Sequence, residues 1–99
     1  MTGRTKGPDR NVFLDAGFPR LEAQNLRVRA DLMIELIRIV RGSKLSQAAA
    51  AARFGVSQPR VSDLMTGKID RFSIDALVEM LARAGRRVEI ATRRSRRVA

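Results

Sequence analysis

The chain has 99 residues, 44% of them hydrophobic, with four phenylalanines and no tyrosine or tryptophan, so it suits one small domain with an aliphatic core. Twenty Lys and Arg against ten Asp and Glu give a net charge of +10, which favours a polyanionic partner. With no cysteine and no histidine, disulfides, thiolate catalysis, zinc fingers and imidazole acid–base chemistry are excluded.

Residues 1–10 hold two glycines, one proline and four charges, and a disordered arm is expected there. No apolar signal region follows it. The longest apolar stretch, residues 32–40, is broken by Glu35 and Arg38 and falls far below the roughly 20 residues that span a bilayer. A cytoplasmic protein with no membrane partner is expected.

Residues 11–17 carry Val12, Phe13 and Leu14 before Gly17, a pattern that fits either one helical turn or a short strand. Pro19 is placed to open a helix. From residue 21 to 41, Leu26, Ala30, Met33, Ile37 and Val40 recur every three or four positions, predicting a helix, with a possible break near 25–29, that Gly42 ends.

Residues 45–68, LSQAAAAARFGVSQPRVSDLMTGK, read as two helices joined by a tight turn, with the motif proper at 46–65. Ser46 caps the first helix and Gln47 opens it. Ala51 is small enough for the second helix to approach closely. Gly55 stands at the turn, where a positive φ suits a residue without Cβ. Ser57 caps the second helix, and Val61, Leu64 and Met65 form its inward stripe. Pro59, Ser62, Asp63 and Thr66 face outward, flanked by Gln58 and Arg60. A helix with that outer face fits a DNA major groove. The plainer alternative is a helical hairpin with a solvated face.

Each outward residue has a role to weigh. Gln58 can offer donor and acceptor to adenine. Pro59 stiffens the first turn and can touch a thymine methyl. Arg60 is placed for guanine or phosphate, and Ser62 for base or phosphate. Asp63 can accept from a cytosine amino group, or pair with Arg60 three residues back, the favoured reading. Gln47 and its neighbouring amides can hold a phosphate at the positive helix end. Lys44, Thr66 and Lys68 flank the motif as candidate phosphate contacts. Ser57 joins this DNA-binding set as the cap.

Beyond the turn at Thr66 and Gly67, Ser73 caps a further helix with Ile74, Leu77, Val78 and Leu81 on one face. Glu79 and Arg83 form an i,i+4 pair on it, and Gly85 ends it. Residues 87–92 then alternate, Val88 and Ile90 against Arg87 and Glu89, which predicts a strand. A lone strand needs a ladder partner, either Val12 to Leu14 of the same chain or the same strand of a second copy. The two-copy solution makes Arg87, Val88, Ile90 and Thr92 a dimer interface. Residues 93–99 are a basic tail. The serines lack a histidine partner and no glycine-rich phosphate loop occurs, so neither an enzyme, a cofactor nor a metal is expected.

At these residues the chain resembles the XRE (Cro/phage-repressor) helix-turn-helix family, most strongly its HigA-like antitoxins. NVFLDAGFP at 11–19, SQPRVSDLMTGKI at 57–69, FSIDALVEMLARAG at 72–85 and GRRVEI at 85–90 carry the likeness in order. Two features depart from it: Ala49 stands where a capping-box glutamate is common, and the last ten residues are unusually arginine-rich. The resemblance implies a mainly all-α, five-helix-type domain over residues 11–92 with a short C-terminal strand, forming a homodimer. It implies a bacterial repressor of a palindromic double-stranded DNA operator, found at the nucleoid when bound. It further implies an antitoxin that neutralises a RelE/HigB-like toxin and represses their shared operon. A stand-alone XRE-type regulator is the alternative. A non-specific RNA- or nucleoid-binding protein fits less well, because base-stacking aromatics are nearly absent. A pure protein-interaction module leaves the net charge unexplained.

Overall fold

Among the described residues, every α-helix but one begins where a polar side chain takes up orphan amides. In the computed structural model, which describes residues 11–94, five α-helices follow one another in chain order. The expected arm at 1–10 and residues 95–99 of the basic tail lie outside the described residues.

Helix α1 (Val12–Asp15) is capped by Asn11, whose Oδ1 accepts from the amides of Phe13 at 2.9 Å and Leu14 at 3.3 Å. The cap's Nδ2 donates to the carbonyl of Ala23 at 3.0 Å, tying α1 to the next helix. This decides the open reading of residues 11–17 in favour of a helical turn. It also removes Val12 to Leu14 as a strand partner.

Helix α2 (Arg20–Gly42) is the one without a side-chain cap; Pro19 stands at its N-cap, with no amide of its own to satisfy. The break expected near 25–29 does not occur. Arg29 bridges that stretch, its Nε donating to Asn25 Oδ1 at 2.7 Å. Helices α3 (Gln47–Phe54), α4 (Gln58–Met65) and α5 (Ile74–Arg83) each start at a serine. Oγ of Ser46, Ser57 and Ser73 accepts from the amide three residues on, at 3.1, 3.4 and 3.1 Å. Between α4 and α5 lies a single 3-10 turn, Ile69–Arg71, which the sequence pattern did not signal.

The core gathers one stripe from each of α2 to α5. Met33, Leu36, Ile39 and Val40 meet Ala50, Ala51 and Phe54, Val61 and Leu64, and Leu77, Met80, Leu81 and Ala84, with Phe72 closing one side. Phe54 and Phe72 are fully buried, and among the described residues no polar or charged residue is buried. Each such large apolar side chain stabilises the fold by roughly 1.5–3 kcal/mol. Met80 completes the buried face of α5, while Ile74 and Val78 are only half covered.

The strand expected at 87–92 is absent: no strand forms among the described residues. Arg87 and Glu89 pair at 2.8 Å, as neighbours on one face of an alternating segment do. Val88 packs on the core, but Ile90 stays 82% exposed. The physical reason is the missing partner. A ladder needs a second strand, and the only internal candidate is helical.

Candidate nucleic-acid interface

Helix α4 is held against the body by Val61 and Leu64, both fully buried. That fixes which side faces out: Ser57, Gln58, Pro59 and Thr66 are exposed, and Ser62 and Asp63 are half-exposed. Helix α3 packs on α4 and α5, so the two motif helices are braced from behind. The turn between them depends on Gly55, whose φ is +71°. A Cβ built there would sit 2.6 Å from Cδ of Arg83.

The side chains sort into two groups. Gln47 and Gln58 are exposed at the N-terminal ends of α3 and α4, and neither side chain has a hydrogen-bond partner among the described residues. With Pro59 and Ser62 they are free to meet another molecule. Lys44 is exposed in the turn before α3, in a left-handed conformation with φ of 54°.

The second group is already engaged. Arg60 does not pair with Asp63. Its Nη1 donates to the carbonyl of Arg71 at 2.7 Å, and its guanidinium lies over the ring of Phe72, 4.3 Å from the centroid. Asp63 instead meets Arg71 at 3.3 Å and Lys68 at 3.6 Å. The intramolecular reading of Asp63 therefore holds in kind, with different partners. The reason is geometric: the 3-10 turn brings Arg71 back beside α4, and the aromatic face of Phe72 draws Arg60 away. Thr66 Oγ1 donates to the carbonyls of Ser62 at 2.8 Å and Asp63 at 3.3 Å, so its proton is used within the helix end.

Sequence reasoning missed Arg71 and Arg29. Arg29 reaches from α2 to the carbonyls of Ile69 at 3.2 Å and Phe72 at 3.4 Å. The 3-10 turn is thus pinned by an arginine on each side. No spacing rule exposes such contacts, because the partners lie 40 and 43 residues apart in the chain.

Two short braced helices, a glycine turn and an outward polar face on the second define a helix-turn-helix DNA-binding domain. A family model described as a helix-turn-helix domain matches residues 12–93. The solved structure of a protein named as an XRE family transcriptional regulator is similar, with a TM-score of 0.69 and 36% identity over 79% of this chain and 88% of that one. Comparison with curated proteins returns no match. The chain belongs to the XRE-type helix-turn-helix family, a family of DNA-binding transcriptional regulators.

No described helix is long and apolar enough to cross a membrane. No cluster of metal-ligating side chains occurs among the described residues.

Proposed function

We propose that this chain is a sequence-specific transcriptional repressor that reads a palindromic operator as a homodimer, with α4 in the major groove. The observation that carries this reading is that Gln58 and Pro59 are exposed and Ser62 half-exposed on a helix whose other side is locked by Val61 and Leu64. Gln58 and Ser62 then meet base edges, while Gln47, Lys44 and the Ser57 end of α4 meet phosphates; Thr66 and Lys68, expected there as well, are engaged within the chain. Arg60 is reassigned from contact to support by its docking on Phe72. The bacterial cytoplasm, at the nucleoid, is where such a repressor works.

Homodimerisation is supported by residues 87–92, which alternate yet lack a ladder, and by the exposed Ile90. A two-fold pair of such segments would set two α4 helices about 34 Å apart, one DNA turn. Footprinting the purified protein on DNA upstream of its own gene tests the reading. A protected palindrome supports it, and uniform protection of all sequences overturns it.

The antitoxin role rests on the resemblance of the sequence to HigA-like proteins alone. The similar solved structure is named as a regulator, and a stand-alone regulator is accordingly the reading we favour. Co-expression with a RelE/HigB-like protein encoded beside this gene separates the two: a stable complex would establish the antitoxin.

A further inference from the structure

Asp63 is the one carboxylate on α4, and it is shared by two cations from outside the helix. Its side chain is 17% exposed, whereas those of Lys68 and Arg71 are 49% and 56% exposed. A carboxylate on the face turned toward DNA repels phosphate. Here it is compensated by two groups that would otherwise be free to bind phosphate. We propose that Asp63 is a selectivity residue: it withholds Lys68 and Arg71 from the DNA backbone, so that binding depends on base contacts made by the rest of α4. This rests on the reading of α4 as the helix that enters the groove.

The backbone of the 3-10 turn does not depend on Asp63. Arg60 holds the carbonyl of Arg71 at 2.7 Å, and Arg29 holds those of Ile69 and Phe72. Removing the carboxylate therefore frees two side chains without releasing the turn that carries them. Asp63 is largely covered, but the side chains of Lys68 and Arg71 are about half-exposed, so phosphate can reach both cations once Asp63 is neutral. A non-specific complex has no fixed register and takes up both cations. An operator complex is oriented by its base contacts and gains less. Losing Asp63 thus raises non-specific affinity more than operator affinity.

The test measures binding of the full chain across a salt series. The probes are a palindromic duplex selected by the wild-type protein from a random library and a scrambled duplex of equal length. Asp63→Asn is expected to steepen the scrambled-duplex slope of log K against log salt by about 1.8 per bound subunit, two phosphates at about 0.9 each, and so by about 3.6 for a dimer. Its scrambled-duplex affinity should rise about tenfold at low salt, and its operator preference should fall. Asp75→Asn adds the same charge at the start of α5 and should leave the slope as in the wild type. Asp63→Asn combined with Lys68→Ala and Arg71→Ala should return the slope to the wild-type value, which a merely structural effect would not do. The proposal is overturned if Asp63→Asn leaves the slope unchanged, or if the triple variant keeps the steeper one. The reading of α4 fails separately: Gln58→Ala would then leave operator preference intact, whatever Asp63→Asn does to the slope.

Discussion

The guanidinium of Arg60 lies 4.3 Å from the centroid of the Phe72 ring while donating to the carbonyl of Arg71 at 2.7 Å. One side chain thereby joins α4 to the turn that leads into α5. Arg60→Ala should destabilise the domain by about 1–2 kcal/mol, from the lost cation–π contact and the lost hydrogen bond together. Arg60→Lys should recover only part of this, because an ammonium cannot both lie flat on the ring and reach the carbonyl. Urea unfolding should show a lower midpoint with an unchanged m value. An unchanged midpoint with lost discrimination at one base pair would mean that Arg60 leaves Phe72 to read DNA.

The turn between the motif helices is expected to tolerate no side chain. At φ of +71°, Gly55 is in the left-handed region, and a Cβ would meet Cδ of Arg83 at 2.6 Å. Gly55→Ala should cost about 1–2 kcal/mol through the backbone conformation, plus a smaller steric part. The Arg83 side chain is 57% exposed and can swing away. In a thermal double-mutant cycle, Arg83→Ala should therefore rescue less than half of the loss. Full rescue would show that the clash, and not φ, is what demands glycine.

Gln58 gives the sharpest test of groove entry. It stands exposed at the first position of α4 with no described partner, so truncating it removes nothing from the fold. Gln58→Ala should leave the melting temperature unchanged and weaken operator binding by ~1–3 kcal/mol, relaxing discrimination at one base pair per half-site. Equal losses on operator and scrambled DNA would instead make it a backbone contact.

What was legible in the chain was local. The serine caps at Ser46, Ser57 and Ser73 and the Glu79–Arg83 pair involve neighbours within one helical turn, so spacing alone places them. The inward stripe of α4 follows from period as well. The partners of Arg60 and Asp63 were not legible, because they depend on the path of a 3-10 turn that has no hydrophobic period to announce it. The segment 87–92 failed for another reason. Alternation prescribes two faces, but a strand exists only where backbone groups find a second chain segment.

That last point makes the oligomeric state testable without disturbing the fold. Val88 packs on the core, so altering it would confound dimerisation with stability. Ile90 is 82% exposed, and within one copy it contributes little burial. If residues 87–92 pair about a two-fold axis, Ile90 is covered by the second copy, and a charge there is strongly unfavourable. Ile90→Glu should keep the wild-type melting curve at low protein concentration, yet sediment as a monomer where the wild type is a dimer. It should bind a single half-site as the wild-type monomer does and lose most of its affinity for the full palindrome, since two linked half-sites gain about 10²–10⁴-fold from being joined. A wild type that sediments as a monomer at micromolar concentration would refute the dimer. A dimeric Ile90→Glu variant would move the interface to another surface of the domain.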